Sequence, residues 1–196
     1  FAYELDRRLE GLTSFEEKKR ALNEFKDRFT YLIDLEHILD PDADFSFLST
    51  HLSGLAEVVL RRAFDIAWEY LIEIYGTPRT VADLPTAYAA AALGKFGGKA
   101  LGYASDIELM LLYRDAGETD GEKRISNVEF FTHLIKTVTS IIESKREGIY
   151  RIDLRLRPHG QGGPLAVSLS RFVSYYRSEA SSLEKLALVR LRTGAG

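Results

Sequence analysis

The chain has 196 residues, 45% of them hydrophobic, enough to bury the core of one large domain or two small ones. A net charge of −3 argues against an extended surface that tracks nucleic-acid phosphates, and the absence of cysteine excludes disulfides and thiolate metal sites. No apolar run reaches transmembrane length and FAYELDRRLE does not resemble a signal peptide, so a cytoplasmic protein without a membrane partner is expected. The start at Phe1 and the stop just after Thr193-Gly194-Ala195 suggest a piece of something longer.

Residues 14 to 39 carry Phe15, Leu22, Phe25, Phe29, Leu32 and Ile33 at helical intervals, with EEKKR as the solvated face. Pro41, Asp42 and Asp44 break this helix and offer an N-cap for the next. From about Phe45 to Tyr75 a second, long helix is marked by Leu48, Leu52, Leu55, Val59, Ala63, Ile66, Leu71 and Ile74, with Gly76 and Pro78 ending it. Trp68 and Tyr70 could stack on a ligand, but their helical spacing favours packing, and His37 and His51 lack metal-ligand spacing. Residues 1–80 therefore read as a helical scaffold ahead of a core over 81–196.

Ala90 to Tyr113 reads as a small-residue strand, a glycine-rich turn and a second strand. Gly94, Gly97, Gly98 and Gly102 suit a backbone that turns its amides toward an anion, with Lys95 and Lys99 in the same turn. In SDIELMLLY, Asp106 and Glu108 share one strand face while Ile107, Leu109 and Leu111 share the other. Two neighbouring carboxylates repel unless one is protonated or a cation sits between them, and oxygen ligands suit Mg²⁺ or Mn²⁺. The plain alternative is an edge strand with two solvated acids. Ser105 could bond a phosphate or simply start the strand.

DAGETDGEKR then reads as a mobile polar loop. Ser126 and Glu129 make a capping box for a helix over roughly 127 to 145, ended by Gly148, on which His133 is expected to be structural. From Tyr150 to Pro158 the chain alternates: Ile152, Leu154 and Leu156 face one way, and Arg151, Asp153, Arg155 and Arg157 the other. This is either a half-exposed strand with self-compensating charges or the third carboxylate of a two-metal site with arginines for phosphate. Gly160, Gly162, Gly163 and Pro164 could flank a nucleotide or reverse the chain. Ser181 and Glu184 stand at capping-box spacing before a last helix whose Arg190 and Arg192 could reach phosphate but read more plainly as surface charges.

G-K-F-G-G-K-x-L-x-Y-x-S-D-x-E-L followed by Y-R-I-D-L-R-L-R-P-x-G-x-x-G-P-L resembles the glutamine synthetase adenylyltransferase family of the nucleotidyltransferase superfamily. The likeness extends over the helical first third and over SLSRFVSYYRSEASSLEKLALVRLR. It implies an α+β nucleotidyltransferase fold in which a short mixed sheet carries the acids, with a helical N-terminal segment and flanking helices. It also implies catalytic, metal-holding acids at Asp106, Glu108 and Asp153, with Mg²⁺ or Mn²⁺ as cofactor and ATP or ADP as nucleotide. Gly97, Gly98, Lys95, Lys99, Ser105, Arg155 and Arg157 would bind that nucleotide. The sequence departs from the family wording at Glu108, where Asp is usual, at Ala100-Leu101-Gly102, where Glu-Leu-Asn is usual, and near Leu183, where an aromatic residue is expected.

Such enzymes carry two similar halves on one long chain: one transfers AMP from ATP to a tyrosine of glutamine synthetase, and the other removes it by phosphorolysis. The wording G-I-Y-R-I-D and the closing Gly-Ala-Gly are somewhat closer to the removing half. Glutamine synthetase is the implied protein partner, with a signalling protein acting through the remainder of a longer chain. Two alternatives stay open: a regulatory module with weakened metal binding, and an RNA nucleotidyltransferase, against which the near-neutral charge argues.

Overall fold

A computed structural model describes residues 1–40, 42, 44–103, 105–144 and 150–195. The expected break at Pro41, the stop at Gly148 and the closing Gly196 lie outside the described residues. The fold is α+β, as expected, and begins with three helices: α1 Ala2–Leu9, α2 Phe15–Leu39 and α3 Phe45–Tyr75. Each long helix starts where the sequence supplies an acceptor for orphan amides. The Ser14 hydroxyl accepts the Glu17 N–H at 3.3 Å, and Asp44 accepts those of Ser46 and Phe47 at 2.9 and 3.0 Å. Gly76 ends α3 at φ +79°, with the backbone of Gly121 so close that a Cβ would lie 2.1 Å from its nitrogen.

Among the described residues the sheet has five strands: β1 Tyr88–Ala92, β2 Ile107–Tyr113, β3 Ile152–Asp153, β4 Ala166–Ser168 and β5 Arg192–Ala195. β1 lies antiparallel between β2 and β5, whereas β3 and β4 run parallel to successive stretches of β2 along its other edge. The sheet is therefore mixed, and its edge beside β2 is shared by two short strands.

One sheet face packs Ile107, Leu109 and Leu111 against Phe130, Phe131 and Leu134 of helix α5 (Asn127–Ile141), in one core with Leu60 and Phe64 of α3. On the other face, Ala91, Leu93 and Met110 meet Leu156, Leu188 and Phe172, the last on helix α6 (Leu169–Ser178). Glu108 belongs to this second face by alternation, at the end of β2 away from β4.

Four expectations are corrected. Helix α5 has the expected capping box but stops at Ile141, because Asn23 and Lys26 reach from α2 to the carbonyls of Ile141 and Glu143 at 2.7 and 2.5 Å. Both polar side chains are buried there, satisfying carbonyls that a helix C-terminus leaves open. The strand expected from Tyr150 to Pro158 shrinks to two residues, since the Asp153 carboxylate accepts the Arg155 N–H at 2.8 Å and turns the chain. The last helix, α7 (Ser182–Ala187), gives way to a 3₁₀ turn at Leu188–Arg190 and then to β5, so Arg190 and Arg192 are not on a helix.

Finally, the loop over 115–124 is tied down. Asp120 accepts the Thr77 N–H at 2.7 Å and binds Arg79 at 2.8 Å, and the Thr119 N–H donates to the Ile125 carbonyl. The histidines serve as packing residues: His51 lies against Phe47, His133 stacks on Tyr75, and His37 faces Tyr103. No described helix is long and apolar enough to cross a membrane.

Candidate active site on the parallel strands and the glycine turn

The parallel pairing of β2 with β3 sets Ile107 against Ile152 and Glu108 against Asp153. Two stretches with one pattern thus lie side by side, Asp106-Ile107-Glu108 and Arg151-Ile152-Asp153. The isoleucines turn to the core, and the four charged residues share the opposite face. Opposite charges meet across the strands. Arg151 donates to both oxygens of Asp106, at 3.0 and 3.3 Å, and Asp106 in turn raises the pKa of the guanidinium. Arg155 forks onto Asp153 with contacts of 2.6 to 3.0 Å. Hydrogen bonds from Arg155 hold the Asp153 carboxyl below the ordinary carboxylate range, with burial pulling the other way. The arginine side chains remain 65% and 61% exposed.

Glu108 turns away from its neighbours. Its Oε2 accepts the Lys95 N–H at 2.7 Å, and its carboxylate lies on Gly94, where a Cβ would come within 2.0 Å of that oxygen. The glycine turn is built on a short helix, α4 (Gly94–Gly97), with Gly94 at φ +50°. Gly97 donates its N–H to the Leu93 carbonyl at 2.6 Å and Gly98 donates to that of Gly94 at 3.1 Å. These two amides, expected to face phosphate, close the turn itself. Glycine is required at 97 because a Cβ would sit 2.1 Å from the Arg190 carbonyl. Lys95 is exposed, while Lys99 leans toward Glu57 of α3 at 3.6 Å.

Two further expected binders have structural partners. The Ser105 hydroxyl accepts the Gly102 N–H at 2.9 Å, holding the bend that leads into β2. Arg157, only 8% exposed, donates to the carbonyls of Leu154, Gln161 and Gly163, so the 160–163 glycine turn closes around a buried guanidinium. Each of its three nitrogens thus bonds a backbone carbonyl of its own turn, and desolvation lowers its pKa.

Arg151 and Arg192, named in the sequence only as charges on a strand and on a last helix, have structural roles that the sequence did not assign. Arg151 could have been found from the matching charge, isoleucine, acid pattern of the two strands. Arg192 had no local signal: it reaches from β5 to the Gly97 and Phe96 carbonyls at 2.9 Å each and to Glu57 at 2.6 Å, with its guanidinium over the Phe96 ring. It fastens the glycine turn to both the sheet edge and α3.

A family model described as glutamate-ammonia ligase adenylyltransferase matches residues 1–196. The chain belongs to this family. Among its relatives are proteins named bifunctional glutamine synthetase adenylyltransferase/adenylyl-removing enzyme. That of Aromatoleum aromaticum is 33% identical over 82% of this chain and 18% of its own length. The one from Thioalkalivibrio sulfidiphilus is 36% identical over 74% and 15%, and the one from Shewanella loihica 31% over 98% and 20%. The chain of this family member thus spans about a fifth or less of the length of these relatives.

For a divalent cation, the donors on this adenylyltransferase-family chain have suitable chemistry, since carboxylate oxygens on one face match a hard ion. Their present arrangement is not a cage. Among the described residues no group of three acids or histidines is gathered to hold a metal, because Asp106 and Asp153 face arginines and Glu108 faces the turn. A cleft of about 800 Å³ lies elsewhere, between α1 and the facing surfaces of α2 and α3, and none of the candidate site residues lines it.

Proposed function

We propose that this chain is a divalent-metal-dependent nucleotidyltransferase module that moves AMP to or from a tyrosine of glutamine synthetase in the cytoplasm, and so regulates nitrogen assimilation. The observation that carries it is that the parallel pairing of β2 with β3 brings Asp106 and Asp153 onto one face, diagonally across the two segments, each bound by an exposed arginine. Family membership supports the same reading.

Bound at Asp106 and Asp153, Mg²⁺ or Mn²⁺ would neutralise the phosphate chain and stabilise the attacking and leaving oxygens at phosphorus. The exposed forks of Arg151 and Arg155 would suit the phosphate oxygens of ATP or ADP. Lys95 adds an exposed positive charge at the turn. Asp153, held ionised by its surroundings, would orient the attacking group. The wording G-I-Y-R-I-D favours AMP removal by phosphorolysis over AMP addition.

The test is a pair of tubes with Mg²⁺: adenylylated glutamine synthetase plus phosphate in one, unmodified enzyme plus ATP in the other. ADP release in the first tube is expected. Modification in the second alone would reverse the assigned direction, and silence in both from a folded chain that binds neither Mg²⁺ nor nucleotide would favour a regulatory module.

A further inference from the structure

Glu108 stands in register with Asp153 and two residues from Asp106, yet its carboxylate points to neither. The ladder itself explains where it goes. The Leu93 N–H donates to the Glu108 carbonyl at 3.0 Å, so the chain leaves β1 directly opposite Glu108 and turns across its side chain. Gly94 lies under the whole carboxylate, with a Cβ there falling 2.0, 2.3 and 2.5 Å from Oε2, Cδ and Oε1, and the next amide, Lys95, bonds Oε2 at 2.7 Å. Close backbone approach and a left-handed φ make glycine the residue for position 94, and a side chain of glutamate length fills the space that glycine leaves.

We infer that Glu108 is a positioning residue that fastens the start of the glycine turn to β2, and that it is not a metal ligand. This deepens the nucleotidyltransferase reading and rests on it only for what the turn serves. The fastening is two-sided: Arg192 holds the far end of the same turn through the Phe96 and Gly97 carbonyls. The metal-facing charge then comes from Asp106 and Asp153.

Ligand and positioning roles give opposite rank orders in two conservative variants. A ligand needs charge, so Glu108→Asp would serve and Glu108→Gln would fail. A fastening to Lys95 needs an acceptor at the right length, so Glu108→Gln retains it and Glu108→Asp draws it out of reach.

Amide exchange at Lys95 and Mn²⁺ calorimetry on the full chain decide between them. Protection of Lys95 should fall about tenfold in Glu108→Asp and stay within about threefold of the parent in Glu108→Gln. Mn²⁺ affinity should be alike in parent and both variants. Loss of Mn²⁺ binding in Glu108→Gln with retention in Glu108→Asp would overturn the inference, as would loss of Lys95 protection when the parent is saturated with Mg²⁺. Equal Lys95 protection in all three proteins would overturn it too. A parent that binds no Mn²⁺ would count against the nucleotidyltransferase reading, while the exchange rates would still judge Glu108.

Discussion

At the scale of single residues, the acids of the site differ in what they stabilise. Asp106 contacts an arginine that is mostly in water, and exposed ion pairs of this kind add little to stability. Asp106→Asn should therefore leave the melting temperature nearly unchanged while nucleotidyl transfer falls to background, a combination checked by calorimetry and the two-tube assay together. Asp153 is more enclosed and takes the Arg155 fork as well as a backbone N–H. Its folded pKa is depressed, so its contribution is fully present above the unfolded carboxylate value of about 4 and is lost as pH falls through the lower folded value. Unfolding titrations from pH 6 to pH 2 should show a shallower acid loss in Asp153→Asn than in the parent. The acids themselves were legible from alternation and local sequence. Arg151 carries the matching pattern of the two strands, but that it meets Asp106 follows only once β2 and β3 are paired in register.

At the scale of elements, the glycine turn shows how one stretch can be recognised and still be misread in detail. Its glycines signalled close approach, but what approaches Gly97 is the Arg190 carbonyl from the turn before β5. Backbone cannot give way as a flexible side chain can, so Gly97→Ala should cost about 3 kcal/mol through overpacking. Denaturant unfolding should record this with or without nucleotide; an unchanged midpoint would mean that the contact relaxes freely. Helix α5 carries a similar lesson. Its start was written in Ser126 and Glu129, whereas its end is fixed by Asn23 and Lys26, more than a hundred residues earlier.

At the scale of the whole molecule, the helical segment and the sheet share a core: Leu22, Phe25, Leu55, Leu60 and Phe64 cluster with Ile107, Leu111, Phe131 and Ala195. Glu57 of α3 also anchors Arg192 and faces Lys99, joining the scaffold to the glycine turn. Removing residues 1–80 would strip one side of that cluster and leave apolar surface on α5 and the sheet in water. A chain of 81–196 alone should lack a cooperative thermal transition and bind a hydrophobic dye, and recover both when 1–80 is supplied on the same polypeptide. A sharp transition in the short chain would show that the sheet region folds by itself.

The sequence by itself determined the helices α2 and α3, the capping of α3 by Asp44 and Gly76, the capping box of α5, the α+β class and the family. These depend on periodicity, capping chemistry and local motif, all of which act over a few residues. Only the tertiary structure decided that β3 is two residues long, that β4 and β5 complete the sheet, that Arg157 is enclosed, and that Glu108 bonds the glycine turn. The strand pairings and the Glu108 bond turn on which distant backbone arrives beside a given segment, whereas the end of β3 and the enclosure of Arg157 are set by partners two to six residues away whose turn geometry the alternation did not reveal. Short strands contribute too little pattern of their own to reveal it, and a carboxylate carries no mark of the donor it will meet.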